Sequence, residues 1–194
     1  SNISAPLIMG VLNLTPDSFS DGGLYLQSKK AFTHINNMIS KGADIIDVGG
    51  ESTRPGSKTI AYKVEWMRLK KIIINFKKKF PKTLLSIDTR KSEVMLKSIK
   101  HKSDIINDVS GFNYDYKAIN KIKNYNVWKV LHHMQGTPST MQIKPSYKNV
   151  LLDVYDFFEK KINVDFKKFK YKKFIVDPGI GFGKNLKHNL ILMH

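Results

Sequence analysis

The fold of this chain is constrained most by a repeated alternation of two kinds of segment. Short apolar stretches recur along the 194 residues, and most are followed by a longer helical pattern studded with lysines. Strands that alternate with helices imply parallel pairing with right-handed crossovers, and therefore an α/β fold. The predicted strands are residues 7–13, 44–48, 84–88, 104–107, 127–132 and 173–177. The predicted helices are residues 29–40, 62–79, 91–100, 116–124 and 147–163, with a last helix that begins at residue 185.

A second regularity is that the predicted strands end on polar side chains. They are Asn13, Asp47, Asp88, Asn107, His132, His133 and Asp177. The strand interiors are apolar, so core packing explains poorly why a carboxylate, amide or imidazole closes each strand. In barrels and in open α/β sheets, ligands bind at this edge. Any one of these residues can also be a helix cap or a turn residue, but the whole set favours a shared site.

Counting strands does not decide between two α/β architectures. A closed eight-stranded barrel takes roughly 250 residues, whereas the 194 residues here accommodate six strand–helix units. Six strands would also complete a doubly wound open sheet. Both architectures therefore stay open until the motifs are considered.

Composition narrows the function classes. The formal net charge is +17, but the lysines are spread over the predicted helices and only three arginines occur. Arginine is the residue best suited to bidentate contacts with phosphate or guanine, so the charge favours solvated helix surfaces over nucleic-acid binding. A positive field of this kind would still attract anionic substrates. The chain has no cysteine, which excludes disulfides and thiolate metal sites.

Compartment follows from the same composition. A chain without cysteine is compatible with a reducing cytosol. No apolar run approaches the ~20 residues that span a bilayer. The first ten residues lack the charged-then-apolar build of a signal peptide. We therefore expect a cytoplasmic protein with neither a membrane nor a nucleic acid as partner.

Six segments carry the candidate chemistry. They are residues 9–23, 47–56, 86–91, 105–111, 133–136 and 177–184. In the first, Phe19 is an aromatic ring able to stack on a flat ligand. In the second, glycines let the backbone approach closely and Arg54 offers a fork for an anion. The last is rich in glycine, but no Ser or Thr follows Lys184, so it lacks the spacing of a Walker phosphate loop.

Taken together, in this order and with this spacing, the six segments resemble the dihydropteroate synthase family from Met9 to Asn185. The resemblance implies a TIM (β/α)8 barrel, of which residues 1–194 would form one pterin-binding domain with about six βα units, incomplete at its C-terminus. It implies the folate-pathway reaction in which 7,8-dihydropterin-6-ylmethyl diphosphate and p-aminobenzoate give 7,8-dihydropteroate and diphosphate. It also implies a Mg²⁺ cofactor, inhibition by sulfonamides, and a homodimer for full-length members.

The resemblance implies roles for individual residues as well. The expected catalytic residues, which match the polar groups that grip the pterin, are Asp88, Asn107 and Asp177. Asn13 matches the residue associated with Mg²⁺ and the diphosphate. The expected substrate-binding residues are Thr53, Arg54, Pro55, Phe19, Asp21, Phe182 and His132. At His132 relatives commonly have a methionine, and an imidazole there either hydrogen-bonds the ligand or, as we favour, fills space.

Elementary chemistry agrees with these roles. A pterin edge presents adjacent donors that a carboxylate accepts as a pair. Loss of diphosphate leaves positive charge on the pterin methylene and ring, which fixed carboxylates in a water-poor site stabilise. Mg²⁺ prefers oxygen ligands and commonly works with substrate phosphates while keeping several waters. The amine of p-aminobenzoate is already a nucleophile, so we predict a dissociative substitution in which diphosphate leaves first.

Two departures leave alternatives open. The family's lysine on strand seven and its Arg-x-His pair on strand eight have no counterpart up to His194. If the polypeptide ends at His194, we expect an open barrel with exposed edges on the first and sixth strands, weak stability and little activity. A partial or degenerate fragment that binds pterin without turnover is one alternative. A corrinoid-type pterin-binding methyltransferase is another, but it would not need the sequences of residues 15–23 and 51–56.

Overall fold

The computed structural model describes residues 5–15, 24–52 and 57–194. Within these ranges strands alternate with helices in the following order: β1 Met9–Asn13, α1 Leu24–Ser40, β2 Ile45–Gly49, α2 Tyr62–Lys79, β3 Leu84–Asp88, α3 Ser92–Lys100, β4 Ile105–Asp108, α4 Ala118–Ile122, β5 Trp128–His132, α5 Val150–Lys160, β6 Phe174–Asp177 and α6 Leu186–Met193. A π-helical turn over Lys161–Asp165 extends α5. The predicted elements are all present, and β3 and α2 have the predicted bounds.

Local capping explains where two helices depart from prediction. Helix α5 begins at Val150, later than predicted, because the side chain of Asn149 accepts hydrogen bonds from the backbone N–H groups of Leu151 and Leu152. Helix α4 begins at Ala118, because Asp115 first folds back to accept from the Lys117 N–H at 3.0 Å. Helix α6 begins after Asn185, whose side chain and that of His188 form a reciprocal cap.

The sheet settles the choice between architectures. The described strands are all parallel, and their order in the sheet, β1-β2-β3-β4-β5-β6, is their order in the chain. A doubly wound sheet reverses strand order at a switch point, and this sheet does not. The α/β barrel-type fold with about six βα units, predicted from the motifs, is confirmed.

The two faces of the sheet have different environments. On the outer face, side chains such as Ile46, Leu85 and Leu131 are buried against the helices, together with Ile72 and Phe76 of α2. On the inner face a smaller apolar cluster lies towards the start of the strands, formed by Ile45, Ile105 and Val130 with Leu84. Because side chains alternate along a strand, the residues that follow this cluster on the inner face are the polar ones at the strand ends.

The strand register brings those polar ends level with one another. Asn13 pairs with Gly49, Gly49 with Asp88, and Asp88 with Asn107, so the four residues lie on one rung across β1 to β4. The sheet is thus the scaffold that assembles a site from residues far apart in the chain.

β1 and β6 are the end strands of the described sheet, and Val11 and Val176 on them are 54% and 51% exposed. Among the helices in the described ranges, none combines the length and the apolar character that a membrane crossing needs.

Candidate active site

The side chains of Asn13 and Asp88 face the same space beside Gly49, at the centre of the rung. A Cβ built on Gly49 would lie 3.2 Å from Asp88 Oδ2 and 3.4 Å from Asn13 Oδ1. The absence of a side chain at Gly49 therefore leaves the space that both oxygens face. The structure thus brings together two of the residues predicted from sequence, from β1 and β3.

Strands β2 and β4 add a second pair to the same face. Asn107 Nδ2 donates to Asp47 Oδ2 at 3.2 Å, across 60 residues of chain. Asp47 Oδ1 and Asn107 Oδ1 are buried, and neither has a hydrogen-bond partner among the described residues. Buried acceptors are normally paired, so these two oxygens are available to a ligand that brings its own N–H donors.

Crowded carboxylates perturb one another at this edge of the sheet. The pKa of Asp88 is raised well above its usual range, first by burial and then by the negative charges of Asp47, Asp108 and Glu65. Burial also raises the pKa of Asp108 to about 6. Perturbed acids of this kind are typical of binding and catalytic sites. A ligand that donates hydrogen bonds to Asp88 favours its ionised form.

A second group of predicted residues lies at the end of β5 and β6. Asp177 pairs in register with His132, and its Oδ2 lies 3.8 Å from His132 Nε2. Both residues share the inner face with Asn107, which lies one strand away from His132, two strands away from Asp177 and two residues lower than both. With ~4.8 Å between strands and ~3.3 Å per residue, the Cα atoms of Asn107 and Asp177 are about 12 Å apart along the sheet. That span accommodates a flat bicyclic ring gripped from both ends.

The contacts of His132 are those of a packed side chain. Its Nδ1 lies 3.1 Å from the Val109 carbonyl oxygen, which can only accept, so Nδ1 carries the proton. Its ring meets Phe182 edge-to-face, with centroids 4.6 Å apart. Burial lowers the pKa of His132, and Asp177 only partly opposes this. The unprotonated Nε2 of the neutral ring is left facing Asp177.

The glycine-rich segment after β6 is explained by packing. A Cβ on Gly179 would lie 1.9 Å from the His133 carbonyl oxygen, and one on Gly183 would lie 2.7 Å from that of Gln135; both glycines have positive φ. Lys184 is buried and donates to His133 Nδ1 and to the Gly179 carbonyl, both at 3.0 Å. Burial and this neighbouring ammonium lower the pKa of His133 to about 4. Lys184 and His133 therefore hold the loop that follows Asp177.

The oxygen atoms at the centre of the rung could bind Mg²⁺ only together with substrate phosphates and waters. The amide oxygen of Asn13 and the carboxylate of Asp88 are hard oxygen donors facing the space above Gly49. The described residues contain no cluster of three or more His, Asp or Glu that would enclose a metal by itself. Mg²⁺ commonly binds through one or two protein oxygens, with substrate phosphates and waters as the other ligands. The residues present fit that arrangement.

Several predicted residues fall outside the described ranges, namely Phe19, Asp21, Thr53, Arg54 and Pro55. Their roles stay predictions. Conversely, Asp108 was not predicted as part of the site, and Asp47 was noted as a strand end without an assigned role. The position of Asp108 directly after Asn107 is a sequence signal that could have identified it. Its raised pKa, however, depends on burial, which the sequence does not show.

The chain is similar to known proteins in both sequence and structure. A family model described as "Pterin binding enzyme" matches residues 9–194. The dihydropteroate synthase of Escherichia coli K12 is 40% identical over 193 residues, which are 99% of this chain and 68% of the relative. That of Haemophilus influenzae is 37% identical over 193 residues, which are 99% of this chain and 70% of the relative.

Solved structures give the same result. A Yersinia pestis dihydropteroate synthase with a sulfonamide drug complex superposes with a TM-score of 0.90 at 38% identity, covering 100% of this chain and 70% of that one. A Xanthomonas albilineans dihydropteroate synthase with 4-aminobenzoic acid gives 0.86 at 32% identity, covering 100% and 68%. A Burkholderia cenocepacia dihydropteroate synthase complexed with 7,8-dihydropteroate gives 0.83 at 34% identity, covering 98% and 65%.

Proposed function

The chain belongs to the pterin binding enzyme family, and we propose that it carries the dihydropteroate synthase activity of folate biosynthesis. The reaction transfers the pterinylmethyl group of 7,8-dihydropterin-6-ylmethyl diphosphate to the amine of p-aminobenzoate, giving 7,8-dihydropteroate and diphosphate. Relatives solved with 4-aminobenzoic acid, with 7,8-dihydropteroate and with a sulfonamide drug support these ligands for this chain. By the same likeness, sulfonamides would compete with p-aminobenzoate.

The observation that carries the proposal is the rung of polar groups across β1 to β4. Asn13, Gly49, Asp88 and Asn107 are level in the sheet, and Asp47 is hydrogen-bonded into the same group. Buried oxygens without partners there are matched by the adjacent N–H donors of an amino-pyrimidinone edge. An apolar barrel core would not need these groups, and a phosphate site would need donors in place of acceptors.

Each residue then has a chemical task. Asp88 accepts hydrogen bonds from the pterin edge, and Asn107 offers an amide acceptor beside it. Asp177 approaches from the far end of the ring, about 12 Å along the sheet from Asn107. As diphosphate leaves, positive charge develops on the methylene and ring, and the negative field of the carboxylates stabilises it. Removing one such fixed group typically costs about 3 kcal/mol of transition-state stabilisation.

Two further groups serve the leaving group and the nucleophile. Asn13 would supply a protein oxygen to Mg²⁺, and the ion would neutralise charge on the departing diphosphate. The substitution Asn13→Ala should weaken Mg²⁺-dependent binding of inorganic diphosphate, measured by calorimetry with and without the ion. Arg54, Pro55, Phe19 and Phe182 are proposed to form the p-aminobenzoate site.

The dissociative order of events has a direct test. Pterin diphosphate is incubated with the protein in the absence of p-aminobenzoate, and diphosphate release is followed. Release without the amine is expected, because cleavage precedes attack. Strict dependence of cleavage on the amine would contradict the dissociative order while leaving the overall activity intact. Pterin binding with no product under any condition would instead favour the alternative of a pterin-binding chain without turnover.

A further inference from the structure

Asp47 is a buried acid to which the proposed reaction gives no task of its own. It is 4% exposed and lies on the inner face of β2, two residues before Gly49 of the rung. A buried carboxylate is costly unless it is hydrogen-bonded to close partners. An uncharged side chain of similar size would fill the same space at lower cost, so the acid at this position indicates a task within the site.

One partner of Asp47 is a residue that the proposed function does use. Asn107 Nδ2 donates to Asp47 Oδ2 at 3.2 Å. The two residues lie on β2 and β4, which are not neighbours in the sheet because β3 runs between them. With ~4.8 Å between neighbouring strands, the backbones of β2 and β4 are roughly 10 Å apart. The side chains therefore meet over β3, on the inner face.

Strand β3 leaves room for this contact. On β3, Ser86 lies in register with Asp47, and Asp88 lies in register with Asn107. Ser86 is fully buried, and its side chain is short. The space over β3 at this level is therefore open to the carboxylate and the amide, which approach it from the strands on either side.

The hydrogen bond decides which end of the Asn107 amide meets a ligand. An amide carries donors on its nitrogen and an acceptor on its oxygen. A carboxylate has no hydrogen to donate, so the amide nitrogen is the end that faces Asp47. Asn107 Oδ1 is buried and has no hydrogen-bond partner among the described residues. Asp47 thus holds Asn107 in the orientation in which it accepts from the N–H donors of a ligand.

We propose that Asp47 is a positioning residue that sets the specificity of the site: by holding the nitrogen of the Asn107 amide, it presents Oδ1 to a ring edge that donates hydrogen bonds and disfavours an edge that accepts them. The inference rests on the proposed pterin-binding role of Asn107. Rings with an amino group at the bound edge are therefore preferred over the corresponding rings with a carbonyl oxygen there. A purely structural role for Asp47 makes a different prediction, since disturbed packing would weaken the binding of both kinds of ring equally.

The test compares two ligands that differ at this edge. Binding of 6-hydroxymethylpterin and of 6-hydroxymethyllumazine, in which a carbonyl oxygen replaces the 2-amino group, is measured by calorimetry at pH 7. The wild type should prefer the pterin. In Asp47→Asn the new amide can donate, so Asn107 is free to turn its own nitrogen towards the ligand. The ratio of pterin affinity to lumazine affinity should then fall about tenfold, the size expected when a buried hydrogen-bonding group loses its match.

Exchanging the two side chains separates orientation from packing. The double variant Asp47→Asn/Asn107→Asp restores a pair of one carboxylate and one amide, with the amide on β2. Its carboxylate on β4 can only accept from the ligand, so this variant should regain the preference for the pterin that Asp47→Asn lost. Asp104→Asn makes the same chemical change before β4, where Asp104 pairs with Lys77 away from the site, and it should leave the ratio unaltered.

Removing Asn107 tests whether Asp47 acts through it. In an Asn107→Ala background, Asp47→Asn should no longer change the ratio, because the two effects depend on one contact. If Asp47 contacted the ligand directly, the ratio would still fall in this background, and the inference would be wrong. If Asp47→Asn does not fold, Asp47→Ala takes its place: it removes the acceptor that holds the Asn107 nitrogen, so the ratio should fall as well.

The outcomes distinguish the inference from the proposed function. A wild type that does not bind the pterin contradicts the proposed function and, with it, this inference. Pterin binding without a preference over the lumazine overturns the role of Asp47 and leaves the proposed function intact. A ratio that Asp47→Asn leaves unaltered, whether both affinities fall together or neither falls, has the same consequence.

Discussion

Replacing Asp88 by asparagine should make the protein more stable and less able to bind pterin. The side chain is crowded by Asp47, Asp108 and Glu65, and its pKa is raised well above its usual range. A carboxyl whose pKa is raised by folding binds its proton more tightly in the folded state than in the unfolded chain. Folding stability is therefore lost as pH rises above the unfolded value near 4. Asparagine carries no charge and removes this penalty.

The affinity moves in the opposite direction. A carboxylate that accepts a pair of hydrogen bonds gains about 1.5–3 kcal/mol from each charged contact. The asparagine amide keeps one acceptor and turns an N–H donor towards the donors of the pterin. Loss of about 3 kcal/mol corresponds to roughly a hundredfold weaker binding, since each 1.36 kcal/mol is tenfold.

The assay combines two measurements on one variant. Urea unfolding at pH 8 gives the free energy of unfolding, and calorimetry with 6-hydroxymethylpterin gives the affinity. Asp104→Asn is the matched control: Asp104 lies before β4, pairs with Lys77 and accepts from the Leu85 N–H at 2.8 Å, away from the site. It should lose about 1 kcal/mol of stability and no affinity. An Asp88→Asn protein that is less stable than the wild type, or that binds pterin equally well, would refute the reasoning.

Three further predictions concern single positions. Gly49→Ala should fold, because Gly49 has no positive φ, but the added methyl group would lie 3.2 Å from Asp88 Oδ2 and fill the space beside it. Calorimetry should therefore show about tenfold weaker pterin binding. Unchanged affinity would argue against a ligand in that space. Asp108 is fully buried with its pKa raised from 3.8 to about 6, so its ionisation should remove about 3 kcal/mol of unfolding free energy between pH 4 and 7. In Asp108→Asn, urea unfolding should show a pH dependence smaller by that amount, and an unaltered slope would contradict the assignment. Lys129 is buried and its pKa is lowered to about 8, so the free energy of unfolding should rise between about pH 8 and 10.5, the pKa of the lysine in the unfolded chain. Lys129→Met should lack this part of the rise when thermal unfolding is compared at pH 7.5 and 9.5. The part due to Lys184, whose pKa is also lowered to about 8, should remain.

Much of the fold was predictable because its signals are local. Strand β3 and helix α2 have the bounds expected from hydrophobic pattern alone. Helix α4 and the start of α5 were misplaced, because the side chains of Asp115 and Asn149 hold the preceding backbone in turns. Such turns depend on rotamers that a hydrophobic pattern does not report.

The site was predictable in its members and unpredictable in its geometry. Asp88 and Asn107 were identified as strand-end residues, and the register then placed them side by side with Gly49. The ring of His132 packs edge-to-face against that of Phe182. Whether either residue contacts a ligand stays a prediction.

The sequence by itself determined the βα alternation, the polar strand ends and the family, because each is a property of neighbouring residues or of their order. Only the tertiary structure decided that the strands follow one another around a single sheet, that Asp47 lies against Asn107, and that Arg90 is held by Glu51 across 39 residues. The physical reason is that a carboxyl's charge state depends on burial and on charges within a few ångströms. Those distances exist only once the chain has folded.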